Sequence, residues 1–391
     1  MRGRARRQDR KPAFARVVKA SFRRQGPRGF QYNSRVKQLL GPALLSAALA
    51  LAVTPLVARL ARRLGAVDRP GGRRIHRQVT PRLGGAAVMI AFFVTLLAFL
   101  PDLAPHFKEK QLAGFALAAV VIFIFGVIDD RRGVPASVQL AVQVFCGLVL
   151  VAVGMGVDEV TNPISGGLVQ LDWLTFTQTI NGIDYQLNLP ADLLTVAWVV
   201  LVMNAVNWLD AADGISSGVG IIGALTIALL ALSPVVNQPH VAVLATILAG
   251  SLAGFLVYNW HPARIFQGFG PMFIGFTLAT LAIISGGKVA TALLVLGLPI
   301  LDALAVIMKR LLQGGRSWAA DTSHLPHLLL ARGFSQRQTA LIIYALSAAF
   351  GALALFTQTT GQKLLAFVVL VGLMSAVLVW LARPAGERSR Q

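Results

Sequence analysis

Eleven apolar runs constrain this chain more tightly than any other feature. They lie near 39–58, 84–101, 112–128, 136–156, 191–207, 216–233, 240–258, 272–286, 289–308, 338–357 and 364–382, with 272–286 the shortest. Crossing roughly 30 Å of hydrocarbon takes about 20 apolar residues in a helix. A hydrophobic fraction of 55% against 13% charged agrees with that reading. The expected fold is an all-α polytopic membrane protein of about eleven transmembrane helices. The lone cysteine, Cys146, lies inside an apolar run, so no disulfide within the chain can form.

Loop charge sets the orientation. Segments 59–83, 129–135, 209–215, 259–271, 309–337 and 383–391 carry 19 Lys plus Arg, whereas the alternate segments carry only Lys108, Lys110, Lys288 and Lys363. The first group is therefore expected to face the cytoplasm. Seven of the 16 acidic residues sit on that side where apolar runs end: Asp68, Asp129, Asp130, Asp210, Asp213, Asp302 and Asp321. A carboxylate at the mouth of a membrane helix is costly without a partner, which points to a cytoplasmic-face active site. Acids at one surface, not midway through the spans, argue against a transporter.

Residues 1–37 hold 13 Lys plus Arg against Asp9 alone. The odd number of helices would place this basic extension outside, against the usual bias. A start at Val36 would remove the conflict, so a mis-assigned start is one expectation for 1–37. The polytopic membrane region is then 38–383, followed by a short cytoplasmic tail at 384–391. A nucleic-acid role is not expected, since no aromatic or motif context accompanies the charge. External loop 157–190 has no Lys or Arg, and its alternating stretches GLVQLDWLTF and YQLNL suit a small external β-hairpin or an irregular connector.

Asp129 and Asp130 close the run VVIFIFGVIDDRRG. Adjacent helical residues point about 100° apart, so each carboxylate serves a different ligand, or Arg131 and Arg132 simply neutralise a helix end. Asn207, Asp210 and Asp213 recur every third residue in NAVNWLDAADG, which places them on one face if the segment is helical. Two carboxylates and an amide suit Mg²⁺ or a nucleotide; the alternative is an Asp-rich turn capping the next helix. Arg73, Arg74, His76 and Arg82 offer cations for phosphate, or express only the loop charge bias. His324 and His327, three apart, suit phosphate binding or interfacial packing. Tyr258, Asn259 and Phe266 supply an amide and aromatic faces for a base, or anchor the interface.

Taken in order, D-R-P-G-G-R-R-I-H and P-R-L-G-G (68–85), G-V-I-D-D-R (126–131), N-A-V-N-W-L-D-A-A-D-G (204–214), F-L-V-Y-N-W-H-P-A-R-I-F-Q-G (255–268) and D-T-S-H-L-P-H through G-F-S-Q-R-Q (321–338) resemble the polyprenyl-phosphate N-acetylhexosamine-1-phosphate transferase family. The likeness covers roughly 40–380 and favours the GlcNAc-1-phosphate branch over the pentapeptide branch. It implies attack by undecaprenyl phosphate on the β-phosphate of a UDP-N-acetylhexosamine, with UMP released and Mg²⁺ required, Mn²⁺ being a substitute. The implied role is the first membrane step of cell-envelope glycan synthesis, by a protein surrounded by membrane lipid and compatible with a homodimer. Asp129 and Asp130 match the pair at the lipid phosphate. Asn207 and Asp210 match the metal region, Asp213 and Asn259 the uracil region, and Phe266 a stacking ring. Arg74, His76, His324 and His327 fall in the substrate-binding set.

Four departures stand out. The family's G-D-x-G-S is Gly268-Phe269-Gly270-Pro271 here, one residue shorter and without its metal-binding aspartate; Phe269 stands near that position. Pro326 and Leu328 replace a histidine and an arginine, Gln139 a lysine, and Ala211-Ala212 the usual Gly-Leu. Losing a carboxylate that holds the ion weakens transition-state stabilisation. The competing expectation is therefore a catalytically impaired relative that binds polyprenyl phosphate or UDP-sugar as a regulator or assembly partner.

Overall fold

The computed structural model describes residues 26–69, 79–162, 167–180, 183–285, 289–312, 323–357 and 359–382. Its helices are α1 (Gly26–Leu64), α2 (Gly84–Ala98), α3 (Glu109–Arg132), α4 (Ala136–Ala152), α5 (Leu189–Leu209), α6 (Ile215–Leu232), α7 (Pro239–Asn259), α8 (Gly270–Ile284), α9 (Val289–Val295), α10 (Gly297–Leu312), α11 (Leu325–Ala331), α12 (Gln336–Phe356) and α13 (Thr360–Ala382). Every apolar run of the sequence coincides with helix. Among the described residues, seven helices are long and apolar enough to cross a membrane. An eighth span is present if α2 and the helical stretch Leu100–His106, bent by 68°, count as one. The protein is a multi-pass helical membrane protein.

Besides that bent pair, three of the expected spans take a different form. The run at 289–308 is broken at Leu296 into α9 and α10, where Gly297 presses on the Phe350 ring and Pro299 contributes no backbone N–H. Helices α4 and α8 are shorter than the membrane-crossing length. The brevity of α8 has a packing reason: all residues from Gly270 to Ala282 are buried, so it lies in the interior, away from lipid.

Small residues bring α1 and α7 together. A Cβ at Gly250 would lie 2.3 Å from the Ala43 carbonyl oxygen, and one at Gly254 2.2 Å from that of Ala47. This is close backbone contact of the small-xxx-small kind, which compensates for the weak hydrophobic drive between helices in lipid. Phe92, Phe93, Phe115, Phe273 and Phe276 interlock α2, α3 and α8 with ring centroids 5.3–6.2 Å apart. Gln143 on α4 and Asn204 on α5 exchange hydrogen bonds of 3.2 and 2.6 Å, so Asn204 of the N-A-V-N motif serves packing.

The segment expected to hold one hairpin holds two antiparallel strand pairs, β3 (Glu159–Thr161) with β4 (Leu168–Gln170) and β5 (Thr175–Ile180) with β6 (Ile183–Asn188). A further two-residue pair, β1 (Val67–Asp68) and β2 (Thr80–Pro81), closes the Arg-rich loop at its base. Arg74, His76 and Asp321 lie outside the described residues, as do 1–25 and the tail at 384–391.

Candidate active site

The site begins with two backbone segments laid side by side. Phe266 N–H donates to the Pro81 carbonyl at 2.8 Å, Gly84 N–H to Phe266 at 3.0 Å, and Gly85 N–H to Gln267 at 2.7 Å. These bonds tie the start of α2 to the loop between α7 and α8, bringing Arg82, Phe266 and Gln267 together. The next residue, Gly268, has φ +59°. A Cβ there would stand 1.9 Å from the Arg82 carbonyl oxygen and 2.1 Å from Asp130 Oδ2. Glycine alone suits both the backbone conformation and the space.

The D-A-A-D-G segment joins α5 to α6 by a turn. Helix α5 stops at Leu209, Asp210 leaves helical geometry, and Gly214 takes φ +78° as the N-cap of α6. Asp210 Oδ1 accepts the Ser216 N–H at 3.2 Å, a capping role. The three-residue spacing thus does not put Asn207, Asp210 and Asp213 on one helical face. They meet because the turn folds them around one cavity of about 440 Å³, which Asn259, Phe266, His327, Asp68, Arg82, Gln267 and Gln336 also line. Burial, reinforced by the nearby Asp213 charge, pushes the Asp210 carboxyl up to about 6 despite its bonds to Ser216.

Asp213 has two partners of its own. Its Oδ2 lies 2.6 Å from His261 Nδ1 and accepts the Ala263 N–H at 3.0 Å, which pins the loop leading to Phe266. Asn259 ends α7, donates to the Ile265 carbonyl at 3.0 Å and receives Ser217 Oγ–H at 3.0 Å.

The Asp129-Asp130 pair divides. Asp129 Oδ1 accepts the Val134 N–H at 2.8 Å and a long 3.5 Å contact from Gln139, the residue standing where the family has lysine, and so closes the α3–α4 turn. Asp130 is buried. Its Oδ2 accepts the Phe269 N–H at 3.3 Å, and its Oδ1 lies 3.7 Å from Arg82 Nε without a hydrogen-bond partner among the described residues. It sits directly behind Gly268, one layer from the cavity. Phe269 occupies a place the sequence did not foresee. Its side chain is 3% exposed, lodged against Gly126 of α3 and edge-on to Phe123 at 6.0 Å, and it is not part of the cavity lining.

The two histidines also separate. His324 is the N-cap residue of α11, with Nδ1 2.7 Å from Oδ2 of the buried Asp302 and its ring 5.8 Å from that of Trp208. His327, one turn on, lines the cavity. Sequence reasoning missed Gln267 and Gln336 as lining residues; no local signal set Gln267 apart from His261 and Arg264 of the same loop. Among the described residues, no group of three His, Cys, Asp or Glu could hold a metal ion by itself. Asn207 and Asp210 offer a partial set, which fits an ion such as Mg²⁺ that is completed by phosphate oxygens and water.

Fold and site together define a multi-pass membrane protein with carboxylates, amides and cations gathered at one end of its helices. The family model for glycosyl transferase family 4 matches residues 112–286. A probable undecaprenyl-phosphate N-acetylglucosaminyl 1-phosphate transferase of Bacillus subtilis is 30% identical over 87% of this chain and 90% of its own length. A decaprenyl-phosphate N-acetylglucosaminephosphotransferase of Mycobacterium leprae is 32% identical over 88% and 90%. A phospho-N-acetylmuramoyl-pentapeptide-transferase of Moorella thermoacetica is 31% identical over 79% and 95%. The chain belongs to glycosyl transferase family 4, the family of polyprenyl-phosphate N-acetylhexosamine-1-phosphate transferases.

Proposed function

We propose that the protein transfers N-acetylglucosamine 1-phosphate from UDP-GlcNAc to undecaprenyl phosphate. The lipid phosphate oxygen forms a bond to the β-phosphorus, the bond from that phosphorus to the bridging oxygen breaks, and UMP leaves. The observation that carries this reading is the cavity where Asn207, Asp210, Asp213, Asn259, Phe266 and His327 converge beside Asp130. Phe266 and Asn259 suit a base, and Arg82 suits phosphate charge, as do Arg74 and His76 from the same loop. Asp130, buried behind Gly268 and beside Arg82, suits positioning that arginine for the lipid phosphate, with Asp129 holding the turn that carries it. Asp302 orients His324 at the edge of α11. Mg²⁺, held by Asn207 and Asp210, would supply charge neutralisation at the diphosphate.

The membrane arrangement belongs to the same proposal. We read the shorter and broken helices as completing the seven long ones to eleven crossings, with the cavity at the cytoplasmic face of a bacterial plasma membrane. The loop-charge asymmetry supports this orientation.

Purified protein with undecaprenyl phosphate, UDP-GlcNAc and Mg²⁺ should release UMP. Intact nucleotide binding with no UMP from any of several UDP-sugars would reject the transferase reading and establish a non-catalytic binding protein.

A further inference from the structure

A second cavity, of about 400 Å³, lies at the end of the helices opposite the active site, and its size suits a ligand. Helix α6 runs from one to the other. Its first turn carries Ser216 beside Asp210, while Leu230 and Ser233 at its far end line the second cavity. Its 18 residues set the two about 27 Å apart. The walls are mainly apolar, with Ile227 of α6, Ala292 and Val295 of α9 and Ala354 of α12. Hydroxyls in the walls turn to their own backbone. Ser285 Oγ–H donates to the Ala282 carbonyl at 2.9 Å, and Thr357 Oγ1–H to that of Leu353 at 2.6 Å. Such a slot does not suit a sugar or another polyhydroxyl solute. Val235, one of the lining residues, is 85% exposed, and Phe356 and Leu364, next in sequence to lining residues, are exposed as well. The mouth is thus apolar and continuous with the lipid-facing surface.

Among the described lining residues one side chain is charged: Lys363, in the first turn of α13. A lysine at the end of a membrane helix ordinarily extends outward to water. Here Nζ donates to Oγ1 of the buried Thr291 at 2.6 Å, which holds the ammonium on the cavity wall. A cation in the first turn also opposes the dipole of α13, and a bound anion offsets both charges. No carboxylate is among the described lining residues to do so. We infer that this cavity binds one anionic phospholipid, its phosphate at Lys363 and one acyl chain in the slot between α6, α9 and α12. In the orientation proposed above, the lipid belongs to the outer leaflet. The site stands on its own shape and charge and does not depend on the transfer reaction.

The test uses the full chain, delipidated in detergent and offered phosphatidylglycerol or phosphatidylcholine with identical acyl chains. Native mass spectrometry counts the lipid retained. Arg82 at the other end also attracts anionic lipid, so the readout is the difference between wild type and Lys363 variants. Lys363→Gln keeps a donor for Thr291 but removes the charge. It should weaken phosphatidylglycerol binding about fivefold, the scale of one lysine at an anionic lipid, and leave phosphatidylcholine unchanged. Lys363→Arg should retain the wild-type preference. The rise in melting temperature on adding phosphatidylglycerol should shrink in Lys363→Gln alone. Undiminished phosphatidylglycerol affinity in Lys363→Gln, or an equal loss for both lipids, overturns the inference. Soluble glycerol 3-phosphate binding as tightly as phosphatidylglycerol overturns it too, since the cavity would then hold an anion and no acyl chain.

Discussion

Asp302 Oδ2 lies 2.7 Å from His324 Nδ1, while Asp302 Oδ1 accepts the Leu325 N–H at the same distance. One buried carboxylate thus fixes the imidazole and caps the start of α11 together. Asp302→Ala should lower the apparent melting temperature by several degrees, the result of losing about 2–4 kcal/mol when both donors are orphaned. Asp302→Asn keeps an acceptor and the side-chain shape, so most stability should remain while UMP release slows. Thermal unfolding and turnover measured on the same preparations check the split.

The two adjacent aspartates should behave differently. Asp130→Asn is expected to reduce UMP release at least a hundredfold, the usual scale for losing a proton-transfer or charge-stabilising group. Nucleotide affinity should change little, because Asp130 stands behind Gly268 and not in the cavity wall. Asp129→Ala should instead cost about 1 kcal/mol of stability through the Val134 N–H it now pairs. Equal kinetic damage from Asp129→Asn and Asp130→Asn, measured at saturating donor, would contradict this division.

Phe269→Asp is the substitution that restores the family's residue type, and it is expected to fail. The ring is buried against Gly126 and Phe123, so the new carboxylate would be uncompensated and close to Asp130, which accepts the backbone N–H of the same residue. A loss of roughly 3–5 kcal/mol follows from cavity and charge together. Yield of folded protein and its melting temperature should both drop, with no gain in rate.

Gly268→Ala should disable the site from a position that offers no side chain. The added methyl would meet the Arg82 carbonyl and Asp130 Oδ2 at about 2 Å, in a backbone conformation that disfavours alanine. UMP release should fall at least tenfold. A Gly268→Ala protein with wild-type turnover would show that the contact of Asp130 with this loop is dispensable.

The membrane class and the positions of its helices were legible in the chain, because apolar run length is a local property that the bilayer reads directly. The motifs that assign the family were legible too, since they are contiguous. Interactions between distant segments were not. Spacing suggested that Asn207, Asp210 and Asp213 share a helical face, whereas Gly214 and the Ser216 cap turn the chain and gather them around a cavity. The likeness of neighbours in sequence hid the separation of Asp129 from Asp130, and of His324 from His327, because a partner on another element decides where each side chain points. Phe269 carries the same lesson. The sequence determined that a carboxylate is missing from this loop; only tertiary packing, through Gly126 and the two serines of α6, decided that a phenyl ring fills the core there while Gln267 stands at the cavity.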